Sequence, residues 1–332
     1  MRTARTLVAG LAFLTLARPQ VPSDSARQRA GEPTFRAEVR VVNVYATVKN
    51  GTGQVLTDLT ENDLILWEDG FVQDISHFSW VADAPLDIGL LVDTSLSQAA
   101  LLPTERRTGL QFLRSVLRPD QDRAFLVKFD RDVELVVEPT GNLRDLSDGL
   151  DNLHVRPYAA PQGPPTPGRR TGTALFDAVY LASAEVFQER SRRRVAVVIS
   201  DGYDTGSIVS LRRAVRESLR ADVVVYSIQF LDEAIAGMIY ADRIGAGSAA
   251  LNRISSQTGG SFHRVSRNVT LEEVFRKIED EMRGAYSLGY TPSRGFADPG
   301  YRRIKVTSPR MEVRTIQARD GYDPHLFLQQ VK

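Results

Sequence analysis

The chain has 332 residues, 42% of them hydrophobic and 25% charged, with a formal net charge of +1 and no cysteine. That length suggests about two domains, and the mixture is that of a globular protein able to bury a core. The balanced charge argues against a global affinity for nucleic acid or anionic lipid. The lack of cysteine excludes disulfides, thiolate metal sites, a cysteine nucleophile and a lipidated N-terminal cysteine. The histidines, His77, His154, His263 and His325, are scattered and form no H-E-x-x-H pair, so a zinc hydrolase has little support.

The first residues have the character of an export signal. Arg2 and Arg5 precede a short apolar run from Thr6 to Ala17, and no acid appears before Asp24. The run is too short to span a bilayer comfortably, so residues 1–17 are read as a signal peptide and the protein as exported, periplasmic or secreted. An uncleaved anchor is the alternative, and it is the one membrane contact expected. Residues 18–33 are polar and rich in Pro, Ser and Arg, which reads as a linker.

Residues 34–84 read mostly as strand. Arg36 to Val41 alternates polar and apolar, Val44 to Val48 is β-rich, and Leu64 to Glu68 runs into the turn Asp69-Gly70. Three or four strands are too few for a stable sandwich alone. After Pro85 the pattern changes. Ile88–Val92, Ala124–Phe129, Val195–Ile199 and Val223–Ile228 are continuous apolar runs, as strands covered on both faces should be. Helical patterns fall between them, at about 101–117, 173–189, 209–220, 247–257 and 271–283. Asp132 to Glu138 returns as an antiparallel edge strand. The predicted architecture is α/β, a doubly wound and mostly parallel sheet over residues 85–284. Residues 285–324 return to short strands, expected to pack with 34–84 as a smaller β-rich domain built from both termini. Pro157 to Arg170 reads as a mobile surface loop.

In a doubly wound sheet, ligands bind at the carboxyl ends of the strands. The first core strand runs into Asp93-Thr94-Ser95-Leu96-Ser97, and the third into Ser200-Asp201-Gly202. The loop Thr171-Gly172-Thr173 opens a helix. Three loops thus deliver only oxygen donors to one edge, a set suited to a hard divalent cation: Mg2+ first, with Ca2+ or Mn2+ as alternatives. The candidate metal-binding residues are Asp93, Ser95, Ser97, Thr173 and Asp201. Few carboxylates and several neutral hydroxyls leave such an ion under-neutralised, able to accept a further carboxylate. Taken singly, Asp93 and Ser95 could cap the next helix, and Thr173 and Asp201 could be a cap and a turn residue. Three loops matching together favour the site.

This constellation resembles the metal-ion-dependent adhesion site of von Willebrand factor A domains, over about Pro85 to Gly284. The flanks, Leu66-Trp67-Glu68-Asp69-Gly70 and Tyr286-Ser287-Leu288-Gly289-Tyr290, resemble those of the acidobacterial VWFA-related proteins. The resemblance implies that Ser95 and Ser97 coordinate the ion directly, Thr173 directly or through water, and Asp93 and Asp201 mainly through water. Two departures stand out: Leu96 where Gly is frequent, and Thr171 in place of the first Gly of a Gly-Gly-Thr. Thr171 thereby competes with Thr173 as ligand.

The expected function is metal-dependent binding of a protein partner that donates an Asp or Glu carboxylate to the ion, without catalysis. A structural envelope module with a degenerate, metal-free site is the alternative. A phosphoryl-transfer enzyme is disfavoured, because the second Asp such enzymes need is Ser95 here and no phosphate-binding glycine loop or nucleophile elbow is present. Asp204 is read as a solvated turn residue, the run Arg190, Arg192, Arg193 and Arg194 as a solvated helix end, and Trp67 and Trp80 as core or junction residues.

Overall fold

In the computed structural model, residues 41–155, 172–189, 191–232, 241–296, 298 and 300–324 are described. The expected signal peptide, the linker, the strand from Arg36, Thr171 and the loop from Pro157 to Arg170 lie outside them.

The central sheet grows from the continuous apolar runs. Its strands are β5 (Leu86–Asp93), β6 (Arg123–Phe129), β7 (Val133–Thr140), β8 (Arg193–Ser200), β9 (Val223–Gln229) and β10 (Phe262–Arg264). Their spatial order is β10-β9-β8-β5-β6-β7, all parallel except β7, which returns antiparallel to β6 as its tight reversal predicts. Every residue of β5, β8 and β9 is buried. Alternate side chains serve two cores: Ile88, Leu90, Val197 and Ile199 face one layer, Leu91, Ala196 and Val198 the other.

The first layer is α1 (Leu102–Val116), α2 (Leu143–Asp151) and the late helix Leu271–Arg283; the second is α3 (Leu175–Leu181), α4 (Leu211–Arg220) and α5 (Ala241–Thr258). The late helix, α6, opens on a capping box between Thr270 and Glu273. The helix α2 and the edge strand β10 were not expected from the sequence. The doubly wound, mostly parallel α/β architecture is as expected, and no helix among the described residues is long and apolar enough to cross a membrane.

Strands from either side of this layer form two further sheets. One has the order β13-β1-β11-β4, from Thr315–Ala318, Val42–Lys49, Tyr286–Tyr290 and Ile75–Trp80; the other β14-β12-β2-β3, from Gly321–Tyr322, Arg302–Thr307, Ile65–Glu68 and Phe71–Gln73. Val42, Val44, Leu66, Leu288 and Ile304 lie in their shared core. The α/β layer is tied to them by an ion pair of Lys49 with Glu281, by the Arg193 guanidinium 4.8 Å over the Tyr45 ring, and by Arg319 with Asp222 at 2.9 Å.

One expectation fails here. Arg193 and Arg194 are not part of a solvated helix end; they begin β8 and are buried, donating to the carbonyls of Met282 and Ala221. Their guanidinium groups close backbone ends that apolar side chains would leave unbonded. Trp80 packs edge-on against Tyr286 at 4.8 Å, and Trp67 donates to Thr307 at 3.0 Å, so both are junction or packing residues.

Candidate metal centre

Chain order makes a switch point. The chain lays β6 and β7 to one side of β5, then crosses to lay β8, β9 and β10 on the other. The adjacent carboxyl ends of β5 and β8 diverge there, and they carry Asp93 and Ser200-Asp201.

Asp93 is fully buried. Its Oδ2 accepts from the Ser200 hydroxyl at 2.6 Å, and its Oδ1 from the Ser95 backbone N–H at 2.9 Å. The Ser95 and Ser97 hydroxyls are 3.1 Å apart, and Ser97 donates to Asp201 Oδ2 at 2.8 Å. Asp201 Oδ1 accepts from the Tyr203 N–H at 2.8 Å. Asp93, Ser95, Ser97 and Asp201 therefore share one hydrogen-bonded cluster, to which Ser200 belongs as well.

Thr173 sits on the neighbouring loop. Its N–H donates to the Thr205 hydroxyl at 3.1 Å, and its carbonyl accepts from the N–H groups of Thr205 and Gly206. These bonds join it to the loop after Asp201 rather than to Asp93. The Thr173 hydroxyl makes no hydrogen bond among the described residues.

Two glycines let the loops approach. Gly172 has φ +93°, and a Cβ there would fall 2.2 Å from the Thr205 hydroxyl. Gly202 has φ +84°, and its Cβ would fall 2.5 Å from the Gly247 carbonyl of α5. Any side chain at either position would be strained and would push the loops apart.

Polar residues outside the expected set hold this geometry. Asp204 is not a solvated turn residue: its Oδ2 accepts from the Phe176 N–H at 3.2 Å and from Ser207, capping α3. Asp177, also buried, accepts from the N–H groups of Ile208 and Val209. Gln229 donates to the Asp201 carbonyl at 2.9 Å. Asp177 could have been sought from its place four residues after Thr173; Gln229 carries no sequence signal beyond ending a core strand.

The cluster sets one buried acid, Asp93, beside another acid, Asp201. Burial, and then the charge of Asp201, pushes the Asp93 carboxyl up to about 7. A positive ion beside these two acids would relieve that repulsion and favour the charged form of Asp93. Among the described residues no group of three or more His, Asp or Glu side chains could hold a metal. An ion here would thus depend on serine and threonine hydroxyls, and the donors present fit a hard cation rather than a soft one.

One other polar cluster resembles a hydrolase site and does not work as one. Ser261 lies 2.7 Å from His263 Nε2, but Glu281 accepts directly from Ser261 at 2.6 Å and lies 3.8 Å from the same imidazole nitrogen. A relay needs the acid on the other ring nitrogen.

Fold and site define a doubly wound α/β domain with an oxygen-donor loop cluster at its switch point. Residues 88–203 match the family model of the von Willebrand factor type A domain. No curated protein matches the sequence. Among solved structures the chain is similar to the conserved hypothetical protein BatB from Bacteroides thetaiotaomicron, with 15% identity over 59% of this chain and 97% of that chain and a TM-score of 0.46. It is similar to the vWF domain of the type V pili tip protein Mfa5 from Porphyromonas gingivalis, with 11% identity, 60% and 95% coverage and a TM-score of 0.46. A third is proximal thread matrix protein 1 from the mussel byssus, in a form with a zinc-occupied MIDAS motif: 16% identity, 65% and 49% coverage, TM-score 0.48.

Proposed function

We propose that this chain is an exported binding protein, not an enzyme, that holds one divalent cation at Asp93, Ser95, Ser97, Thr173 and Asp201 and uses it to take up a carboxylate from a protein partner. The observation that carries this reading is the cluster itself. Two carboxylates and two serine hydroxyls from separate loops lie within hydrogen-bonding reach at the switch point, and Asp93 is buried beside a like charge. Ser95, Ser97 and Thr173 are neutral, so a bound ion keeps charge to spare. It would then attract an incoming Asp or Glu strongly in a partly desolvated site. Mg2+ is the ion we favour, with Ca2+ or Mn2+ as alternatives.

A metal-free structural module is the second reading. It is favoured by the internal satisfaction of the cluster: Ser97 already bonds Asp201, and Ser200 already bonds Asp93. A cation titration separates the two. Under the first reading Mg2+ raises the unfolding temperature of the protein by mass action, and Asp93→Ala removes that rise while the fold persists. An identical ion response in the variant would sink the assignment, and no response in the wild type would favour the metal-free module.

A further inference from the structure

Gln98 follows the last serine of the first loop, and its side chain is fully buried. With its amide oxygen turned to the Asp201 loop it accepts from the Asp201 backbone N–H at 3.3 Å, while its nitrogen donates to Glu105 Oε1 at 3.2 Å. The opposite orientation lets the amide nitrogen reach the Phe230 carbonyl at 3.4 Å, but it turns that nitrogen toward the Asp201 N–H and the oxygen toward the Glu105 carboxylate, so the first orientation serves both loop and helix.

Glu105 lies in the first turn of α1 and is 1% exposed. Its second oxygen, Oε2, has no hydrogen-bond partner among the described residues. An unsatisfied buried polar group costs stability, and an apolar side chain would pack there without that cost. A first-turn acid does favour the helix dipole, but an exposed one would serve equally. The burial therefore calls for a role beyond the helix.

That role is visible in what the amide touches. Asp201 is held at both of its backbone polar groups, its N–H by Gln98 and its carbonyl by Gln229 at 2.9 Å, while its carboxylate meets Ser97 at 2.8 Å. Gln98 is covalently next to Ser97. One side chain thus ties the Ser95–Ser97 loop to the Asp201 loop from beneath, and Glu105 stops its amide from turning.

We propose that Gln98 and Glu105 are positioning residues of the cation site: a buried clamp that sets the two loops at their spacing before any ion arrives. The inference rests on the cation reading above. Neither residue needs to touch the ion. The clamp lowers the reorganisation that binding would otherwise require, which is how outer groups tune metal sites.

The test is a calorimetric Mn2+ titration of the full chain, paired with urea unfolding in chelator. Gln98→Met keeps the side-chain length and removes both hydrogen bonds; it should weaken Mn2+ binding about tenfold or more. Glu105→Gln keeps an acceptor for the Gln98 nitrogen and should retain wild-type affinity. The double variant Gln98→Met/Glu105→Met removes the orphaned carboxyl along with its partner. It should regain most of the stability lost in Gln98→Met, yet still bind Mn2+ weakly. A merely structural pair would regain affinity and stability together, and that result would overturn the clamp, as would wild-type affinity in Gln98→Met. A wild type that binds no Mn2+ overturns the cation reading and the clamp with it, whereas a binding wild type with an unaffected Gln98→Met overturns the clamp alone.

Discussion

The Tyr290 hydroxyl donates to Glu68 at 2.6 Å, across 222 positions of chain. The two residues come from the flanking stretches that end in Glu68-Asp69-Gly70 and Gly289-Tyr290, and they meet in the core between the two small sheets. The same carboxylate accepts from Tyr322 at 2.9 Å and from Arg302 at 3.0 Å. Both members of the ion pair are nearly inaccessible to water. Removing one partner of a buried pair strands the other charge, at about 3–5 kcal/mol. Glu68→Ala should therefore destabilise the protein by about that much in urea unfolding. Glu68→Met with Arg302→Met should cost less than Glu68→Ala alone. Near-wild-type stability in Glu68→Ala would show that the pair is not desolvated as the structure has it.

At the other end of β5 from Asp93, Asp122 accepts hydrogen bonds from three residues. It accepts from the Leu86 N–H at 2.8 Å, the Arg118 N–H at 2.9 Å, the Arg118 side chain at 2.9 Å and Arg283 at 2.6 Å. Burial alone would raise its pKa, but the Arg118 hydrogen bonds and then those from Leu86 and Arg283 pull it down to about 2. A carboxyl depressed in the folded state adds stability above its unfolded pKa near 4 and loses it as pH falls through the folded value. The linked contribution is on the order of 2 kcal/mol at neutral pH. The stability gap between wild type and Asp122→Asn should therefore be constant above about pH 5 and shrink between about pH 4 and pH 2. A gap that does not change with pH would refute the assignment.

The layout of the α/β domain is legible because its central strands are buried on both faces. Ile88–Val92 and Val195–Ile199 have no polar interruption, and each runs straight into an acid-bearing loop, so strand ends and candidate donors are read together. The helix Leu143–Asp151 is harder to see: it has nine residues, and only Leu143, Leu146 and Leu150 mark its apolar stripe behind the Asn142 cap. Gln98, Glu105 and Gln229 are illegible for another reason. Their burial depends on contacts between segments far apart in sequence, and polar residue types give no sign of it. Arg193 and Arg194 misled in the same way, because a run of arginine beside a strand looks solvated until the carbonyls it closes are in view.

We propose that the described parts of the two flanking segments, 41–84 and 285–324, form one β-rich unit beside the α/β domain of 85–284. Both neighbours of β1 in its sheet, β11 and β13, come from the later segment, and β2 pairs with β12. A chain ending at Gly284 should lose amide-exchange protection across Val42–Lys49, because an isolated strand has nothing to pair with. Protection across β5 and β8 should largely remain. Undiminished protection in Val42–Lys49 after truncation would mean that this segment folds on its own.

The last prediction concerns the partner. Leu96 sits between the two candidate serine ligands and is 57% exposed, and Ile208, on the loop held by Asp177, is 79% exposed. An exposed aliphatic side chain such as Leu96 within the proposed cation site suits recognition by shape, while a bound ion would supply the attraction. Losing a buried carboxylate–metal contact should cost several kcal/mol, by analogy with truncating a charged interface hot spot. In capture experiments from an envelope extract, chelator, Asp93→Ala and Thr173→Ala should each abolish retention of the partner. Leu96→Ser should leave Mg2+ binding unchanged and still weaken retention, which separates holding the ion from reading the partner. Arg192→Ala should have little effect, since this side chain donates to the Gln121 carbonyl at the amino end of β8, away from the loops. Retention at full strength in chelator would move the interface off the ion and point to the β-rich unit, where Phe71 and Val72 are exposed on the edge strand β3.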